Sequence, residues 1–142
     1  MKPAIGYGLV SILALSVLSL VDWVRENAEV QQSGVRYALG VLPNFAASVA
    51  IPFVMMSVWS GSDESQWTLS DHAWRFRLSA AVAAAGLVAW EFVQVGSPRL
   101  VYDIHDLGAT AAGMVAAFVA FRLVSPRAEG IAEQGSPSDD RA

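Results

Sequence analysis

Apolar positions in this chain gather into four long runs separated by short polar segments. The first, from Pro3 to about Trp23 (PAIGYGLVSILALSVLSLVDW), carries no charge before Asp22. At 1.5 Å per residue, ~20 helical residues cover the ~30 Å hydrocarbon core of a bilayer. The run therefore predicts a membrane-crossing helix over 4–24. A signal peptide is the competing reading. Its n-region would be Lys2 alone, its apolar run is too long, and no A-x-A cleavage site follows. An uncleaved helix is the expectation.

After a polar connection at 24–36, the second run predicts a helix over 37–59. It holds Pro43, Pro52 and Asn44 among apolar residues. Prolines are tolerated in a membrane helix when neighbours re-satisfy the carbonyls they free, so a kinked helix is expected. A loop at 60–72 leads to the third run, predicted helical over 73–95. Arg75 and Arg77 in its first turn can snorkel to an interface. The fourth run predicts a helix over 104–124. Residues 125–142 are rich in Pro, Gly, Ser and Asp and cannot bury a core. The fold class that follows is all-α: an integral membrane bundle of four antiparallel helices within 1–126, with 127–142 as a disordered cytoplasmic tail.

Composition agrees with the pattern. Of 142 residues, 15% are charged, against about 25% in a soluble domain. There are no cysteines, which excludes disulfides and thiolate chemistry. The net charge is −4 and no basic stripe is present, so nucleic acid is not an expected partner. Trp23, Tyr37, Trp59, Trp74, Trp90 and Tyr102 lie near the ends of the runs, as aromatic belts do. With the N-terminus inside, Lys2, Arg75, Arg77, Arg122, Arg127 and Arg141 are cytoplasmic, against Arg25, Arg36 and Arg99 outside. That excess predicts a multi-pass protein of the cell membrane with both termini cytoplasmic.

Two stripes of small residues, Ala81, Ala85, Ala89 and Ala109, Gly113, Ala117, predict close packing of the third helix on the fourth. General alanine usage explains the same stripes equally well.

The stretch from Trp90 to Gly113 (WEFVQVGSPRLVYDIHDLGATAAG) carries the polar chemistry. Ionisable groups at membrane depth are expensive and usually have a role. Glu91 lies about one helical turn inside Gly96, with Gln94 three residues on along the same face. Asp103, Asp106, Thr110, Gly113 and Ala117 share one side of the fourth helix, and His105 falls on another. Plain explanations exist for most. Asp103 is a good N-cap, Asp106 complements the helix dipole, and Arg99 balances the acids. Glu91 is harder to dismiss, because a carboxylate there needs a cation, a hydrogen-bond partner or a proton. Arg99, Gln94 and the start of the fourth helix are its expected partners.

The order Glu91-x-x-Gln94, then Arg99, Asp103 and Asp106, then Gly113, resembles the VanZ-like family of small bacterial membrane proteins. That family's pattern runs roughly E-x-x-Q, a short gap with R, then D-x-x-x-N-x-x-G. Glu91, Gln94, Arg99, Asp106 and Gly113 match it, and Thr110 stands where the family commonly has Asn. The stretch LPNFAASVAIPF, with Asn44 and Pro52, is similar to the family's N…P helix, so the likeness covers about residues 40–120. The resemblance implies a cell-envelope protein. The family's namesake is associated with low-level resistance to the glycopeptide teicoplanin. The resemblance does not supply a reaction.

Three functions are compatible with these residues. The expected one is non-enzymatic: an outward-facing polar pocket between helices three and four, built from Glu91, Gln94, Arg99, Asp103, Asp106, Thr110 and Asn44. It would engage a membrane lipid, an envelope precursor or a glycopeptide. The second is a small proton- or ion-coupled transporter subunit, oligomerised because four helices are few. The third is a metal-dependent enzyme, with Glu91, Asp103, His105 and Asp106 as weak ligand candidates. No specific catalytic motif and no cofactor signature is present.

Overall fold

A computed structural model describes residues 3–29, 31–63, 67–95 and 103–125, the side chains at 62, 63 and 95 excepted. The described residues form four helices: α1 Pro3–Asn27, α2 Ser33–Asp63, α3 Leu69–Val95 and α4 Ile104–Val124. No strand occurs among the described residues. All four helices are long and apolar enough to cross a membrane. Their outward surface is apolar as well: Leu13, Leu20, Trp23, Val58, Phe92, Val115 and Leu123 are all exposed. A water-facing surface rarely carries so continuous an apolar cover. The expected tail at 127–142 and Arg99 both lie outside the described residues.

α1, α2 and α3 overrun their apolar blocks, because helical hydrogen bonding stops at a cap and not at a change of polarity. At the start of α3, Thr68 and Asp71 close a reciprocal box. The Thr68 backbone N–H donates to Asp71 Oδ2 at 2.8 Å, and the Asp71 N–H donates to Thr68 Oγ1 at 3.3 Å. This sets the helix start at Leu69, four residues before the apolar block begins.

α2 runs unbroken through Pro43 and Pro52. Pro43 has no N–H, so the Leu39 carbonyl four residues earlier loses its helical donor. Arg25 of α1 fills the gap: its Nη2 donates to the Leu39 carbonyl, and to that of Gly40 at 3.5 Å. The expected re-satisfaction by a neighbour is therefore met, by a charged side chain from another helix.

α2 is the central element, packing against α1, α4 and α3, while α3 and α4 touch only sparsely. Close packing of helix three on helix four is thus corrected. Ala81, Ala85 and Ala89 face outward, and the small residues of α4 serve α2 instead. Gly113 lies so close to α2 that a Cβ there would stand 2.5 Å from the Phe45 carbonyl oxygen. At one end of the bundle, Tyr7, Phe53, Met56, Phe76, Ala117 and Phe121 form the core. The Phe76 and Phe121 rings stack at 4.2 Å between centroids. Tyr7, from the start of α1, reaches His72 Nδ1 of α3 at 3.0 Å and Ser125 Oγ after α4 at 3.1 Å. That hydroxyl ties three segments together, as a buried polar group must find partners.

Candidate functional site

The opposite end of the bundle holds the polar site. Glu91, near the end of α3, is 2% exposed. Its Oε1 accepts from Asn44 Nδ2 of α2 at 3.3 Å and from Gln94 Nε2 at 3.3 Å. Its Oε2 is buried and makes no hydrogen bond of good geometry among the described residues, although the Asp103 backbone N–H lies within interaction range of the carboxylate. Two local features place these groups. Glu91 and Gln94 are three apart on α3 and share a face. Asn44 follows Pro43 in the segment that Arg25 secures.

α4 brings a second carboxylate. Asp106 lies in interaction range of the Asn44 amide, and its charge acts on Glu91. The same face of α4 continues inward through Thr110, which is buried at 5% exposure, to Gly113. Asn44 thus stands between the carboxylates of α3 and α4, so the site is built from three helices. The expected cluster included Asn44, and α2 brings it in as the shared donor.

The Asp103 side chain takes a different part, although its charge also acts on Glu91. It is the N-cap of α4, accepting from the His105 backbone N–H at 2.9 Å and approaching His105 Nδ1 at 2.7 Å. These two hydrogen bonds, the backbone one first, hold the Asp103 carboxyl below the usual carboxylate range. Folding lowers this pKa. The cap's contribution is therefore present above the ordinary Asp value of about 3.9 and fades as pH falls through the lower folded value. His105 also meets the Tyr37 ring edge-on at 5.3 Å.

Beside these residues, an apolar groove of about 480 Å³ lies between α2 and α4, lined by Tyr37, Val41, Phe45, His105, Gly108 and Ala112 among others. This groove is apolar and is not the polar site. Among the described residues, no three of His, Asp and Glu gather as metal donors, so Glu91, Asp103, His105 and Asp106 do not form a ligand set there.

Of the residues expected at the site, Asn44, Glu91, Gln94 and Asp106 come together. Asp103 sits at the exposed rim, Thr110 one turn inward, and Arg99 lies outside the described residues. The Tyr7–His72–Ser125 tie was not anticipated. Its members are 65 and 118 residues apart, and no spacing connects them.

Fold and site together define a chain of four membrane-length helices enclosing a buried, half-satisfied carboxylate. Comparison with protein-family models, curated proteins and solved structures finds no match.

Proposed function

We propose that this chain is a multi-pass protein of the cell membrane, an antiparallel four-helix bundle with both termini cytoplasmic. The Glu91 site then lies near the outer face and receives a hydrogen-bond donor from a lipid, an envelope precursor or a glycopeptide. The observation that carries this reading is the buried Glu91 Oε2, which makes no hydrogen bond of good geometry among the described residues. A buried carboxylate oxygen with an open acceptor position favours a ligand ammonium or hydroxyl. Asp106 beside it adds negative charge and discriminates against anions. The role is non-enzymatic and VanZ-like, in line with the resemblance over Glu91, Gln94, Asp106 and Gly113.

Expression in a glycopeptide-sensitive bacterium is expected to change teicoplanin susceptibility. Glu91→Gln is expected to abolish that change while leaving expression and helicity intact, because the amide keeps the shape and loses the charged acceptor. Equal susceptibility of cells carrying the Glu91→Gln variant and cells carrying the wild type would count against the site. Orientation is tested by single cysteines at Ser33, Ser62 and Ser97. An impermeant reagent on intact cells is expected to label the first and third, and labelling at Ser62 alone reverses the topology. The second reading, an ion-coupled transporter subunit, draws on the same pair of carboxylates around Asn44. Glu91-dependent proton flux in liposomes would favour it.

A further inference from the structure

Two arginines from different helices meet outside the Glu91 carboxylate cluster, with Arg25 close enough for its charge to act on Asp106. Arg25, near the end of α1, and Arg36, near the start of α2, line a pocket of about 330 Å³ with Ala28, Leu39 and Gly40. We propose that this pocket binds the phosphate of an anionic membrane phospholipid. The inference rests on the membrane-bundle reading and not on the role of Glu91.

Four observations support it. The lining contains two guanidinium groups and no acidic side chain. Arginine presents a planar fork of donors that matches phosphate oxygens. Arg25 is held in place, because the Leu39 carbonyl freed by Pro43 fixes its Nη2. A donor positioned in advance loses less freedom on binding than a free surface arginine. Two acids compete for that arginine only weakly: Asp22 Oδ1 lies 4.0 Å from Arg25 Nη1 with its side chain 69% exposed, and Asp106 acts on it through its charge alone. Finally, both arginines sit where their helices leave the apolar blocks, at the depth of lipid headgroups, where basic residues recognise anionic lipids. Ala28, Leu39 and Gly40 give an uncharged floor on which the glycerol can rest.

The test is native mass spectrometry of the full chain released from detergent with dioleoyl phosphatidylglycerol or dioleoyl phosphatidylcholine. The wild type is expected to retain one phosphatidylglycerol with about tenfold preference, the effect of a charge-assisted contact worth about 1.4 kcal/mol. Arg36→Gln is expected to bring the preference close to unity. Arg25→Lys, which keeps a donor for the Leu39 carbonyl and so guards the fold, is expected to reduce it. Arg77→Gln, at the other end of the bundle, is expected to leave it unchanged. An undiminished preference in Arg36→Gln overturns the assignment, as does displacement of the lipid by millimolar inorganic phosphate. A chain that stays in solution without detergent defeats the membrane reading itself. A detergent-bound chain with no lipid preference defeats only the pocket.

Discussion

Gly113→Ala is expected to destabilise the bundle by about 1–3 kcal/mol, the range for overpacking a filled interior, and Gly113→Leu by more. An added Cβ would stand 1.8 Å from Ser48 Oγ and 2.5 Å from the Phe45 carbonyl oxygen. The serine can rotate, although doing so costs its 2.7 Å hydrogen bond to that same carbonyl. The backbone oxygen cannot rotate, so α4 must move off α2. Such movement would also strip packing from Thr110 and Ala117, which are buried on the same face. Two other glycines supply controls. A Cβ at Gly86 or Gly108 meets nothing within 4 Å. Gly→Ala at those positions is expected to be neutral or to stabilise by up to ~1 kcal/mol, since alanine is the better helix former. Thermal unfolding in detergent reads all three. A Gly113→Ala protein as stable as the wild type would show that α2 and α4 do not approach this closely. Ser48→Gly in the Gly113→Ala background is expected to recover only part of the loss, because the Phe45 carbonyl remains.

Asn44→Leu is expected to cost about 1–3 kcal/mol, the penalty for stranding a buried polar group. The amide donates to Glu91 Oε1 and also lies in range of Asp106, so its removal exposes two carboxylates to one another. Glu91→Leu alone is expected to cost less, since it removes the group that needs a partner. The double variant, Asn44→Leu with Glu91→Leu, is expected to be more stable than Asn44→Leu alone, with a coupling of at least ~0.5 kcal/mol. Replacing both partners by apolar groups removes the unsatisfied acceptor, whereas replacing one creates it. Strict additivity of the two substitutions would mean that Asn44 and Glu91 do not interact. In that event Gln94, at 3.3 Å, would be the partner that matters for Oε1. The cycle separates structural from functional roles as well. The double variant is expected to recover stability and still lack the teicoplanin phenotype, because the Glu91 carboxylate that receives the ligand is gone.

The helix count was legible in the chain because it depends on a local quantity. Runs of about twenty uncharged residues leave the backbone no other way to satisfy itself in an apolar solvent, and all four appear as α1 to α4. The placement of Glu91 was legible for the same reason. One acid in an otherwise apolar turn of α3 must turn inward or lose its charge, and it is buried. Helix ends were less legible, since the capping box at Thr68 and Asp71 overrides the apolar boundary.

Which helix meets which was decided only by the tertiary structure. Small residues mark where a backbone can be approached, but they do not say by whom. The stripe on α4 serves α2, and the stripe on α3 faces outward. Partners in the polar contacts were hidden likewise. Pro43 announces a freed carbonyl, yet nothing along the chain names Arg25 as its donor. Asn44 joins the expected cluster through the family likeness, yet nothing along the chain says that its amide donates to Glu91 and faces Asp106. Local pattern fixes what each segment must bury, because burial is a property of the segment. The pairing of buried groups depends on the relative rotation of helices about their axes, which is set by the sum of many weak contacts across the bundle.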